Sequence, residues 1–218
     1  MAPLHYAPPM WPYLQIVFKD EHFLVINKPS ELLSVPGKGI ELQDCLQLRV
    51  QRVYPTATIV HRLDMATSGL LVMALNKAAH RHISRQFELR QTSKTYIARV
   101  YGQVAGEEGC VDLPLICDWP NRPKQMVCLQ NGKPAQTLWR VLARNKQDTR
   151  LELSPITGRS HQLRVHMLSL GHPILGDRLY APPQALQLAP RLQLHAQSLG
   201  FMHPHHEQDV SFFAPAPF

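Results

Sequence analysis

Two stretches of the chain concentrate groups that can do chemistry. The first is His61-Arg62-Leu63-Asp64-Met65-Ala66-Thr67-Ser68-Gly69, a carboxylate set among an arginine, a histidine and two hydroxyls. It runs directly into the apolar residues 69–75, which read as a buried strand. A polar loop feeding a buried strand is held against a rigid support, and catalytic groups concentrate on such loops. Neighbouring cations and hydroxyls favour the ionised form of a carboxyl, so Asp64 suits a nucleophile or an electrostatic partner, not a general acid. The same residues also allow a structural role, with Asp64 capping a turn and Thr67 and Ser68 satisfying backbone groups.

The second stretch is Thr157-Gly158-Arg159-Ser160-His161-Gln162-Leu163-Arg164-Val165-His166, followed by Gly171-His172-Pro173-Ile174-Leu175-Gly176-Asp177. Ser160 is placed to cap a helix that starts after Gly158. Arg159, His161, Arg164 and His166 then crowd one helical segment. His161 and His166 are five residues apart, about 140° around a helix, which is poor geometry for one metal, and no third ligand is evident. The arginines are better read as facing nucleic-acid phosphate or pairing with a carboxylate. Between the two stretches, Tyr96 and Tyr101 sit in a strand-like segment. Such tyrosines usually pack in a core or at an edge, yet an aromatic in a basic setting is also where a displaced base stacks, for roughly 1–3 kcal/mol. His203-Pro204-His205-His206 reads as an exposed, solvated turn.

The elements that must position these groups follow from hydrophobic periodicity. Residues 14–18 and 22–26 read as a hairpin around Lys19-Asp20-Glu21. Leu42, Cys45, Leu46, Arg49, Val50 and Val53 share a helix face that ends at Tyr54-Pro55. A helix follows the buried strand over 77–90, with Ala79, Ile83, Phe87 and Arg90 along one face. Strands are expected at 95–100, 136–143, 150–153, 192–201 and 210–213, and a helix at 160–170 that Gly171 stops. Residues 1–13 read as an irregular, Pro-rich arm. With no repeat, heptad or Gly/Ser linker, residues 14–218 form a single α+β domain, a large mixed and mainly antiparallel sheet flanked by a few helices. Two lobes around a central basic cleft fit the same pattern.

Composition sets the outer limits. Lys and Arg number 23 against 16 Asp and Glu, a formal +7, and such a surplus favours a polyanionic partner. Prolines number 19 in 218 residues, about 9% against an average near 5%, which points to loops and strand ends over long helices. The four cysteines, Cys45, Cys110, Cys117 and Cys128, form no C-x-x-C pair and read as reduced thiols of a cytosolic chain. No secretory signal is visible, and no apolar run approaches the roughly 20 residues that span a bilayer. A soluble, cytoplasmic protein without membrane association is expected.

Together these motifs resemble the RluA-type pseudouridine synthases. Residues 61–69 look like that family's H-R-L-D-x-x-[TS]-S-G motif, and 157–166 with 171–177 look like its G-R-x-H-Q-[IL]-R-x-H…G-x-P-I-x-G-D motif. Asn27-Lys28-Pro29 with Pro36, Lys94-Thr95-Tyr96 and Leu194-His195-Ala196 resemble three further blocks, all collinear over about residues 14–213. The resemblance implies isomerisation of uridine to pseudouridine in RNA without a cofactor or metal, by flipping the base out of its stack. It assigns catalysis to Asp64 and substrate binding to Arg62, Tyr96, Leu163 and Arg164, with Arg164 pairing with Asp64. The short chain, with no room for an S4-type RNA-binding domain, and residues 117–125 look most like the dual-specificity branch. That branch acts on large-subunit (23S) ribosomal RNA and the tRNA anticodon loop, so rRNA and tRNA are the implied partners of a monomer. One departure stands out: the family usually has glycine where this chain has Glu31. Glycine admits a positive φ and glutamate does so poorly, so a reshaped turn or a negative φ is expected there.

Overall fold

A computed structural model describes residues 6–218; the first five residues of the expected arm lie outside the described residues. In chain order the first elements are β1 (Ile16–Lys19), β2 (Phe23–Lys28), α1 (Leu46–Gln51), β3 (Thr58–Ile59), β4 (Ser68–Ala74) and α2 (Lys77–Glu88). Next come β5 (Ser93–Tyr101), β6 (Glu108–Asp112), β7 (Leu115–Cys117), β8 (Gln125–Val127), β9 (Gln136–Arg144) and β10 (Asp148–Pro155). The chain ends with α3 (Gln162–Ser169), α4 (Pro183–Gln187), β11 (Leu194–Met202) and β12 (Asp209–Phe213). This is the expected α+β, mainly antiparallel architecture. It resolves into two compact units: residues up to 93 with Ala196–Ala216, and Lys94–His195 with Pro217 and Phe218.

In the first unit β1 and β2 form the expected hairpin. Its turn is closed by Asp20, whose carboxylate accepts from the N–H groups of His22 (2.7 Å) and Phe23 (2.8 Å). Asp20 also meets His203 Nε2 at 2.8 Å, while His203 Nδ1 accepts from the N–H groups of His205 and His206. The late histidine stretch is therefore only in part the solvated turn expected: His203 is buried and pins the turn, and His205 and His206 are exposed. Strand β2 pairs with β4 from Phe23↔Ala74 to Lys28↔Gly69, and every residue of β4 is buried. Its unbroken apolar run is the pattern of a strand with both faces covered. Phe23, Val25, Leu70 and Val72 pack with Ile83 of α2 and with Leu199 and Phe201 of β11. Gly69, at φ +117°, has no alternative, since a Cβ there would lie 2.3 Å from the Ala196 carbonyl oxygen.

Helix α2 starts at Asn76, which caps the Ala79 N–H, and ends earlier than the sequence suggests. Arg90 is not on the apolar face. It is exposed and left-handed at φ +59°, and Gln91 N–H bonds back to Gln86 O across it, a Schellman stop. Gln86 takes the buried position, its amide bonding both the N–H and the C=O of Met202. Helix α1 is also short, beginning after Cys45 and leaving Val53 exposed. Its Arg49 is fully buried. The guanidinium grips both oxygens of Asp44 (2.8 and 2.7 Å), donates to Pro9 O and lies 4.6 Å from the Tyr13 ring centroid. That hydrogen bond from Arg49 holds the Asp44 carboxyl below its ordinary pKa.

In the second unit β5, β10, β9 and β6 pair antiparallel in that order, and β7 and β8 form a separate hairpin. Leu115, Ala135 and Val165 form a small core, with Val127 and Tyr180 against it. Strands β6 to β8 were absent from the sequence reading. They are three to five residues long, too short for alternation to declare itself.

The first unit also fixes the loop ahead of β4. Lys28 is fully buried, and its ammonium matches its three donors to the carbonyls of Pro29 (2.9 Å), Leu32 (2.7 Å) and Met65 (3.1 Å). Ser30 Oγ donates to Ala66 O at 2.6 Å. Ser34 Oγ donates to Leu63 O at 2.6 Å and accepts from Leu63 N–H. The remaining carbonyl, that of Asp64, accepts from Thr67 N–H at 3.1 Å. All four carbonyls of residues 63–66 are thus satisfied, three of them by side chains of residues 28–34.

Glu31 lies within that supporting segment at φ +62°. The φ is not negative as one of the two expectations had it; glutamate occupies the left-handed geometry at a cost of about 1 kcal/mol. Glu31→Gly should therefore unfold at higher denaturant than Glu31→Ala by about 1 kcal/mol, because both lose the side chain and only glycine relieves the backbone. Lys28→Met should cost about 3 kcal/mol or more in the same measurement, since it strands three carbonyls without their donor.

Candidate active site

Loop 61–69 presents its side chains in different directions. Arg62 is exposed, Leu63 is buried and Asp64 is half-buried. His61 is structural: its Nε2 accepts the Val72 N–H at 3.1 Å, which places the ring proton on Nδ1, and the ring stacks on Phe87 at 4.5 Å. With the backbone of residues 63–66 fixed by side chains from residues 28–34, Asp64 keeps only its own two torsions. This loop can hold a carboxylate in one place without burying it fully.

The segment 157–177 lies in the second unit. Its helix does not begin at a Ser160 cap. The N-cap is His161, left-handed at φ +53° and without a capping side-chain bond. Gln162 organises this helix start instead. Its Oε1 accepts from Thr157 Oγ1 (2.7 Å) and Arg159 N–H (3.0 Å), and its Nε2 donates to Gln136 O and Thr137 Oγ1. Having accepted from Gln162, Thr137 Oγ1 donates to His166 Nδ1 at 2.8 Å, and His166 Nε2–H donates to Leu113 O at 3.0 Å. His166 is fully buried and burial pushes its pKa down. Both of its nitrogens serve the protein, which is a structural role and not a ligand's.

Leu163 and Arg164 are adjacent on α3, 7% and 4% exposed. Arg164 donates from Nε (2.8 Å) and Nη2 (2.6 Å) to the two carboxylate oxygens of Asp177. The ring of Tyr180 lies 5.0 Å from its Cζ. Asp177 also accepts from Leu179 N–H at 2.9 Å, and Tyr180 OH meets His161 Nδ1 at 2.7 Å. A bidentate pair of this kind fixes both the plane and the charge of the guanidinium. Tyr96 is half-buried on β5 beside the buried Ile97. Lys94, two residues earlier and on the same strand face, has its ammonium pKa lowered by burial.

Arg62 and Asp64 thus belong to the first unit, and Tyr96, Leu163 and Arg164 to the second. Lys28 and Asp177 lie within the family-like motifs, but their supporting roles, like that of Tyr180, are not expected from the sequence. A lysine closing β2 after four buried apolar residues is a usable signal, since a strand of that burial has no solvent for an ammonium. The exposed cations Lys77, Arg81 and Arg85 recur every four residues along α2, a basic stripe in the first unit.

Known proteins resemble this chain over most of its length. Residues 22–169 match the model of the RNA pseudouridylate synthase family. The chain is 59% identical to the dual-specificity RNA pseudouridine synthase RluA of Salmonella typhimurium, covering 98% of each chain. It is 58% identical to that of Escherichia coli K12, again covering 98% of each, and 56% identical to that of Pasteurella multocida over the whole of both. Among solved structures, human RNA Pseudouridylate Synthase Domain Containing 1 superposes with a TM-score of 0.78 at 32% identity, covering 94% of this chain and 84% of its own. Human RNA Pseudouridylate Synthase Domain Containing 4 gives 0.72 at 28% identity, covering 93% and 88%. The fold, the motif order and these likenesses converge on one conclusion: the chain belongs to the RNA pseudouridylate synthase family.

Proposed function

We propose that this chain isomerises uridine to pseudouridine in RNA, with Asp64 as the catalytic group. The observation that carries the reading is the clamp on residues 63–66, which spends one buried lysine and two serines on holding the backbone around a single carboxylate. In the reaction the N1–C1′ bond breaks, the uracil turns, and C5 bonds to C1′. The C5 proton leaves to solvent and N1 regains one, so atoms and electrons balance without oxidant or cofactor. An ionised Asp64 serves either route to bond breakage, attack on C1′ or removal of the C2′ proton to give a glycal. Arg164 is the cation assigned to keep Asp64 ionised, and Asp177 holds it in orientation. Tyr96 stacks on the extruded base and Leu163 packs against it. Arg62 fills the space the base leaves or contacts phosphate.

The substrates in this reading are large-subunit rRNA and the tRNA anticodon loop. The dual specificity named for the bacterial relatives supports two RNA classes. Single-stranded loops are also where a base is extruded at least cost. The stripe Lys77, Arg81 and Arg85 supplies phosphate contacts. In this reading the enzyme acts in the cytoplasm as a monomer.

The test is release of tritium from RNA labelled at uridine C5, with free uracil measured in parallel. Isomerisation gives tritium without free base; free uracil would mean a hydrolase. Asp64→Asn should fold and bind RNA normally yet lower conversion by three orders of magnitude or more, on the order of 4 kcal/mol of lost transition-state stabilisation. A normal rate from that variant would sink the assignment. Tyr96→Phe and Tyr96→Leu separate two roles for the ring. If stacking is its whole contribution, Phe keeps most activity and Leu loses about tenfold or more; an equal loss in both points to the hydroxyl.

A further inference from the structure

The hairpin β7–β8 carries a feature that the reaction chemistry does not use. Its tip turns through Trp119–Asn121, and Trp119 is 64% exposed. Isolated exposed apolar residues are ordinary, but this one is held. The turn is locked by Asp118 N–H to Lys124 O (3.0 Å), Asn121 N–H to Asp118 O (3.0 Å) and Lys124 N–H to Asn121 O (3.1 Å). A fourth bond runs from Asn121 Nδ2 to Asp118 Oδ2 at 2.9 Å. Arg122 lays its guanidinium over the indole, 4.6 Å from the ring centroid. At the base of the tip, Gln125 N–H donates to Tyr180 OH at 2.8 Å. That same hydroxyl meets His161 at the start of α3, and the ring beneath it lies against Arg164.

A large aromatic ring, mostly in solvent, backed by a cation and mounted on a rigid turn is what an unpaired nucleobase stacks on. The ring offers its face to any base, and the neighbouring guanidinium meets phosphate. Because the turn is ordered by its own hydrogen bonds, little is lost in fixing it on binding. The neighbours Pro120, Asn121, Arg122 and Pro123 are all exposed and two of the four are polar, which does not make the broad apolar patch a stable protein partner buries. The tip's cations, Arg122 and Lys124, outnumber its one anion, Asp118.

We propose that Trp119 and Arg122 form a second RNA contact, in which an unpaired base other than the target uridine stacks on Trp119 while Arg122 neutralises a nearby phosphate. The inference rests on the RNA-modifying function above and adds to it a determinant of which RNA is held. The hairpin's tie to Tyr180 joins this contact mechanically to the helix that carries Arg164.

The test uses the full chain and an anticodon stem-loop RNA, measuring equilibrium binding and C5-tritium release. Trp119→Ala should weaken binding about tenfold or more, and Trp119→Phe should stay within about threefold of the unaltered protein. Conversion at saturating RNA should be unchanged in both, so the effect appears in KM and not in kcat. Arg122→Ala should weaken binding and reduce the slope of log affinity against log salt by about one contact's worth. Intrinsic tryptophan fluorescence quenched by RNA in the unaltered protein should lose its largest part in Trp119→Phe. Unchanged binding by Trp119→Ala, or equal losses in the Ala and Phe variants, would overturn the stacking role while leaving the enzyme's function intact. Failure of the unaltered protein to bind or convert the RNA would overturn both.

Discussion

The satisfaction of four backbone carbonyls governs the rest of this structure. Residues 63–66 lead into a strand buried along its whole length, and a carbonyl buried there without a donor would cost about 1–3 kcal/mol. Here the donors come from the protein: residues 28–34 supply three and the Thr67 N–H the fourth. The dependence is mutual. Lys28 could not be fully buried as an ammonium without the carbonyls of Pro29, Leu32 and Met65, and the loop could not hold its course without Lys28. A carboxylate on a loop with this support inherits the precision of the sheet.

The second unit applies the same rule to charge. Arg164 and Asp177, at 5% and 1% side-chain exposure, are tolerable only as a pair with further hydrogen bonds, because a buried ion without a partner is costly. Gln162, Thr137, Thr157 and His166 form the neutral counterpart, a chain of polar groups in which each proton has one sensible place. Such networks fix a unique arrangement when complete and fail together when broken. The helix that carries Leu163 and Arg164 is positioned by this chain more than by helix propensity, which explains why its N-cap, His161, can be left-handed.

What could be read from the sequence divides along this line. The apolar run of β4, the periodic face of α2 and the longer strands declare themselves through repeated local patterns, and the ordered motifs identify the family. The side chains that do the supporting do not. Lys28, Asp177 and Tyr180 act on partners distant in sequence, and nothing within a short window says that a lysine will meet a carbonyl 37 residues on. Arg90 shows a different failure: the helical period continues past the point where the Schellman stop ends the helix, and Gln86 replaces it inward because an amide can satisfy a strand end that a guanidinium cannot. Glu31 shows a third, since local preference predicts relief of a strained φ that the surrounding hydrogen bonds instead enforce.

Arg49 gives the N-terminal arm a different standing from that of a tail. Its guanidinium, wholly out of solvent, counts Pro9 O among its acceptors and rests on the Tyr13 ring. A chain clipped after Tyr13 would unroof that cation on one side and leave Asp44 to carry it alone. Residues 9–13 therefore behave as a plug, and their loss would be felt in the body of the protein.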